Sequence, residues 1–285
     1  MTTYTFDYNN TPISADLYPT VSPRKGVLLY YHGGGLLYGQ RTDLDPSYIQ
    51  AITERGYYLL CLDYLLAPES SLEQIHASVD RGFTWFLKAR ETELGLGRCP
   101  FALFGRSAGA YLALCLAHRL AHNRGEQPVA LWSFYGYHTL LHPFFSGPSA
   151  HYRMLPMIER SMVPNLHGAS PISAAPIEQR FFLYVYARQQ GKWLDLLATD
   201  RTQLERFAIP EEELKLLPPT FLTASTADQD VPFSFSKKLS QQIPGAQFLQ
   251  VFGLEHDYDR DPSRKESQAL YPAALDFLDA HFDCR

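Results

Sequence analysis

The chain has 285 residues, 46% of them apolar and 19% charged, with Phe and Tyr at 18 each. That length suits one large domain carrying an insertion, and the composition excludes a disordered chain or an array of polar repeats. A formal net charge of −5, with no run of Lys or Arg longer than two, leaves no footprint for a nucleic acid or an anionic bilayer.

The longest uninterrupted apolar stretch, residues 110–117, falls far short of the roughly 20 residues that cross a membrane, so no membrane span is expected. The first ten residues include Asp7 and lack the basic and apolar regions of a secretory signal, which makes the cytoplasm the expected address. Cys61, Cys99, Cys115 and Cys284 show no C-x-x-C spacing and are expected to be thiols.

Residues 4–8 and 13–18 alternate apolar and polar side chains around Asn9-Asn10-Thr11-Pro12, the pattern of two antiparallel strands joined by a tight turn. Residues 26–31 form a short apolar run that stops at His32-Gly33-Gly34-Gly35, as a buried strand entering a loop does. A helical stretch at 45–55 precedes a second such run at 57–63. Ser71-x-x-Gln74 matches a capping box, and Ile75, Val79, Phe83, Phe86 and Leu87 share one helical face, which predicts a helix over 71–90. Strands are expected at 99–104, 129–135, 220–224 and 247–252, and helices at 108–122, 233–242 and 266–282. Eight strands alternating with helices make a mostly parallel sheet covered on both faces. Residues 137–217, rich in Pro, His and aromatics, break the alternation and read as an insertion of short helices over the carboxyl edge of the sheet, where α/β ligand sites lie. The core is then 1–136 with 218–285, and the lid 137–217.

Gly105-Arg106-Ser107-Ala108-Gly109 matches G-x-S-x-G and falls between a predicted strand and a predicted helix, the context that gives this pattern meaning. A serine hydroxyl is a weak nucleophile and needs a base that is itself oriented by a carboxylate. Asp228 follows the strand at 220–224 and His256 follows the strand at 247–252, so both join Ser107 at one edge. The order Ser, Asp, His is that of α/β-hydrolases. Asp230 competes for the acid role, although it is also placed to cap the helix after Pro232. Asp257 and Asp259 beside the base read equally well as residues of a surface loop. The backbone N–H groups of Gly33, Gly34 and Ala108 are candidates for an oxyanion hole, because missing side chains let amides approach a developing alkoxide.

Together with Asp63-Tyr64-Leu65-Leu66-Ala67-Pro68-Glu69, these segments resemble the hormone-sensitive-lipase-like carboxylesterases of the α/β-hydrolase superfamily, over residues 26–136 and 218–282. The resemblance implies ester hydrolysis through an acyl-serine, with Gly33, Gly34 and Ala108 holding the oxyanion and the segment from Asp63 to Glu69 supporting the site. Two positions depart from the family. Arg106 stands where an acidic residue usually precedes the nucleophile, and Leu65 stands where Arg is usual; the two changes are expected to offset each other. The family's amino-terminal cap helices have no counterpart in the residues before 26, which leaves lid duty to 137–217. Of its aromatics (Phe144, Phe145, Tyr152, Phe181, Phe182, Tyr184, Tyr186, Trp193), most should form lid core and a minority should line an acyl or alcohol pocket.

His118 and His122 are spaced i, i+4, but their helix lacks the glutamate of a zinc protease and no third ligand is evident, so they read as surface histidines. No nucleotide-binding glycine pattern occurs, and Cys61 and Cys115 read as small core residues. The expectation is an α/β-hydrolase fold acting as a metal-free, cofactor-free serine carboxylesterase on small-molecule esters with short acyl chains, its assembly as a homodimer left open. The rivals are a peptidase or amidase, for which no acidic pair to hold a substrate amine is evident, and a non-catalytic ligand receptor, against which the presence of His256 argues.

Overall fold

The computed structural model describes residues 1–123, 125–164, 166 and 168–282; Cys284 lies outside the described residues. Strands β1 (Thr2–Tyr8) and β2 (Thr11–Tyr18) form the expected hairpin. Asn9 and Asn10 both take positive φ, 50° and 64°, as a two-residue turn between twisted strands requires. Six more strands follow: β3 (Gly26–Tyr31), β4 (Tyr57–Leu62), β5 (Phe101–Arg106), β6 (Leu131–Phe134), β7 (Thr220–Ser225) and β8 (Gln247–Val251). They form one eight-stranded sheet in the order β1-β2-β4-β3-β5-β6-β7-β8, parallel from β4 to β8, with β2 antiparallel to its neighbours.

Helix α1 (Pro46–Glu54) precedes β4, and α2 (Leu72–Ala89) starts at the Ser71–Gln74 capping box. Helix α3 (Ala108–His122) follows β5 directly. Between β6 and β7 lie α4 (Pro143–Ser146), α5 (Ile177–Gln190), α6 (Arg201–Arg206) and several 3-10 turns, with no strand among the described residues of that stretch. Helices α7 (Phe233–Gln242) and α8 (Lys265–Phe282) complete the chain. The pleat of β3 sorts the core: Val27, Leu29 and Tyr31 join the layer of α2, α3 and α7, whereas Leu28 and Tyr30 join that of α1 and α8. Strands buried on both faces are why their sequences read as unbroken apolar runs. The loops after β3, β5, β7 and β8 all emerge at the carboxyl edge of the parallel strands.

Candidate active site

Ser107 stands between the last residue of β5 and the first of α3 at φ 52°, ψ −119°, a strained conformation that turns a strand into a helix within one residue. The flanking glycines are steric necessities. A Cβ on Gly105 would lie 2.2 Å from the Gly109 carbonyl oxygen, and one on Gly109 would lie 2.1 Å from that of Tyr31.

The three residues drawn from separate loops meet. His256 Nε2 lies 2.8 Å from Ser107 Oγ, and His256 Nδ1 lies 2.7 Å from Asp228 Oδ2. The other Asp228 oxygen accepts the backbone N–H groups of Asp230 and Val231, each at 2.8 Å, which fixes the carboxylate. Burial is the largest influence on the His256 imidazole and opposes its charge. The charge and hydrogen bond of Asp228, aided by Asp230 and Asp257, outweigh it and push the pKa up to about 9.

Gly33 and Gly34 border the same cleft as Ser107. A Cβ on Gly33 would lie 3.5 Å from that of Ser107, and Gly34 takes φ 101°. The loop is held from behind: the His32 ring stacks on Tyr64 at 4.2 Å, and the Tyr64 hydroxyl donates to the His32 carbonyl at 2.8 Å. Asp63 accepts the backbone N–H and the guanidinium of Arg41, both at 2.7 Å, and Glu69 pairs with Arg180 of α5. Every charged or hydroxyl group of the Asp63–Glu69 stretch named here is occupied in bracing.

Arg106 is buried beside Ser107, and its partner is not at position 65. Its Nη2 meets Asp259 Oδ1 at 3.0 Å, and its Nε donates to the Tyr135 hydroxyl at 2.7 Å. Tyr135 in turn donates to Asp259 at 2.7 Å and Tyr271 donates to it at 3.1 Å. The expected compensation between Arg106 and Leu65 is therefore corrected: Leu65 is an apolar core residue, and the charge of Arg106 is met by a carboxylate three residues past His256. Asp259 is fully buried, not part of a surface loop.

Ser107 and His256 open onto a cleft of about 520 Å³ walled by Tyr38, Tyr48 and Tyr135, with Pro176, Ile177 and Glu178 closing it from the β6–β7 stretch. None of the eight aromatics expected to serve lid or pocket lines this cleft. Phe145, Tyr152, Tyr184 and Trp193 are buried in packing, and Phe181 and Phe182 point outward, 37% and 58% exposed. Asp43, Asp45 and Glu178 also border the cleft and form no ion pair among the described residues, so carboxylates are present where none was evident.

The family description of the alpha/beta hydrolase fold matches residues 28–229. The chain belongs to this family. A protein of unknown function from Staphylococcus aureus subsp. aureus Mu50 superposes on 99% of the hydrolase with a TM-score of 0.88 and 33% identity, over 100% of its own chain. Carboxyl esterase 2 from the mycorrhizal fungus Tuber melanosporum shares the fold at a TM-score of 0.70 and 20% identity, over 98% of this chain and 86% of that one. The non-reducing polyketide synthase adrD of Penicillium roqueforti is 31% identical over an alignment that covers 92% of this chain. The hydrolase spans only 12% of that synthase's length. No helix among the described residues is long and apolar enough to cross a membrane.

Asp230, the competing carboxylate, accepts hydrogen bonds from the hydroxyls of Tyr152 at 3.0 Å and Tyr184 at 2.7 Å and pairs with Arg188 at 3.0 Å. It does not cap α7, whose cap position is Pro232 with no side-chain bond. The Arg188 guanidinium is enclosed by Trp193, Phe144, Tyr184 and Tyr152, at 5.2 to 5.7 Å from the ring centres. Asp230 thus ties the loop after β7 to the β6–β7 stretch, a role the spacing of two carboxylates in one loop does not reveal. A further correction concerns His118 and His122. A third donor does exist, Glu213, from a 3-10 helix 91 residues past His122.

Proposed function

We propose that this α/β hydrolase is a serine carboxylesterase for small esters with short acyl chains, with 137–217 as its lid. What supports this most is the unbroken hydrogen-bonded chain from Ser107 through His256 to Asp228, at 2.8 and 2.7 Å, on a strained turn beside a cleft. Ser107 Oγ attacks the acyl carbonyl while His256 Nε2 takes its proton, and Asp228 steadies the imidazolium. The oxyanion is held by the N–H groups of Gly33, Gly34 and Ala108, each such donor lowering the barrier by roughly 3 kcal/mol. His256 then protonates the departing alkoxide, and a water activated by the same imidazole releases the acid. Incubation with an organophosphonate should add one phosphonyl group, mapped by mass spectrometry to Ser107, and abolish p-nitrophenyl acetate hydrolysis. A different labelled residue, or activity that survives labelling, overturns the reading.

The cleft carboxylates Asp43, Asp45 and Glu178 favour a second reading, cleavage of an amide or ester beside a substrate amine. Aminoacyl p-nitroanilides turned over faster than neutral p-nitrophenyl esters would select it.

A further inference from the structure

Three donor atoms converge at the end of α3 away from Ser107. His118 Nε2 and His122 Nε2 lie 3.3 Å apart, and Glu213 Oε2 lies 2.5 Å from the first and 3.1 Å from the second. Without a cation, Glu213 Oε2 can accept from both imidazoles, with two N–H groups then brought to within 3.3 Å of each other; if one ring nitrogen is unprotonated, its lone pair faces those of the carboxylate. We propose that His118, His122 and Glu213 bind one divalent transition-metal ion, with Zn²⁺ the best match.

Bonds of 2.0–2.1 Å at the tetrahedral angle place two ligand atoms about 3.3 Å apart, which is the separation of the two imidazole nitrogens. The His122–Glu213 distance is already close to this, and the His118–Glu213 pair opens by about 0.8 Å on loading. Glu213 and His122 allow that adjustment, with side chains 34% and 51% exposed, while His118, at 16%, anchors the site. Two imidazoles and one carboxylate suit a borderline cation; Ca²⁺ and Mg²⁺ prefer six or more oxygens. Exposure on the His122 side leaves the fourth position to water. The nearest cation on the same helix, Arg119, is engaged by Asp80 at 3.1 Å and does not oppose a metal charge.

The 3-10 helix Glu211–Leu216 that supplies Glu213 is anchored by the fully buried Leu214 and leads directly into β7. A metal here fastens the end of the β6–β7 stretch to α3. His118 is eleven residues along α3 from Ser107, about 16 Å, so the ion acts on stability and not on the acyl transfer.

The test uses the full chain, stripped with a chelator and dialysed free of it. Titration with ZnCl₂ by calorimetry should show one equivalent bound, weakened at least about tenfold in His122→Ala and in Glu213→Gln. Zn²⁺ should raise the wild-type melting temperature, and raise that of either variant by less at the same concentration. Co²⁺ should give the intense visible bands of a four-coordinate ion in the wild type, a readout that needs no variant. Ester hydrolysis at 25 °C should stay within about twofold after chelation. No binding by the wild type at 100 µM Zn²⁺, Co²⁺ spectra of a six-coordinate ion, or equal affinity in wild type and variants would overturn the assignment.

Discussion

Replacing Asp259 with Asn removes the counterion of a guanidinium that has almost no access to water: the Arg106 side chain is 9% exposed and that of Asp259 0%. Removing one partner of a buried ion pair costs about 3–5 kcal/mol, because the remaining charge stays in a site of low dielectric. Asn conserves the volume and can still accept from Tyr135 or Tyr271, which puts the cost at the lower end, about 3 kcal/mol. In a chain of this size each kcal/mol shifts the melting temperature by about 2 °C, so Asp259→Asn should melt roughly 6 °C below wild type. Activity should fall too, and in kcat more than in KM. Arg106 immediately precedes Ser107, and the Tyr135 ring meets that of His256 edge-on at 4.7 Å, so a loosened network displaces Ser107 and His256 together. Calorimetric melting and p-nitrophenyl butanoate kinetics measure both effects. Removing both charges, with Arg106→Met and Asp259→Leu, should recover more than half of the lost stability, since the penalty lies in the unpaired charge. A single variant that melts within about 2 °C of wild type would refute the argument that this pair is closed to solvent.

Asp228→Asn should lower kcat by about 10⁴-fold through loss of the tautomer, whereas Asp230→Asn, which loosens Tyr152, Tyr184 and Arg188, should act mainly on thermal stability; steady-state kinetics and melting of the two variants check the ranking. The base must be neutral to accept a proton. With the His256 pKa raised to about 9, kcat/KM should decline on acidification from a limb well above 6.5, and Asp228→Asn should move that limb down by at least about one pH unit. A limb at or below 6.5 in the wild type contradicts the assigned electrostatics. Each buried methylene of an acyl chain adds about 0.8 kcal/mol only where it meets apolar surface. This cleft interrupts Leu44, Ile177 and its prolines with Gln40, Thr42 and carboxylates, so kcat/KM should peak between acetyl and butanoyl and drop at least about tenfold at octanoyl; a steady climb past octanoyl would show a lipid groove.

The parts of this fold that follow from local chemistry were legible in the sequence. Apolar runs marked β3, β5 and β7, Ser71 and Gln74 marked the start of α2, and two glycines around Ser107 marked a turn that no other residue allows. The meeting of Ser107 with His256 and Asp228 followed from one topological rule, that parallel strands deliver their loops to a single edge. What was not legible depends on contacts between residues far apart in the chain. The Arg106–Asp259 pair spans 153 residues and the Arg188–Asp230 pair links the β6–β7 stretch to the loop after β7. Glu213 reaches its histidines from a turn whose position only packing determines. Aromatic content alone could not say which rings face inward, and Phe182 shares α5 with the buried Tyr184 yet faces solvent.

The central claim is that Ser107 forms the acyl intermediate, and the rate of p-nitrophenyl butanoate hydrolysis by Ser107→Ala tests it most directly. Because the hydroxyl borders the cleft and makes no cap bond to α3, its removal should leave the melting temperature nearly unchanged while kcat falls by at least about 10⁴-fold. A folded Ser107→Ala protein with activity within tenfold of wild type would contradict the account.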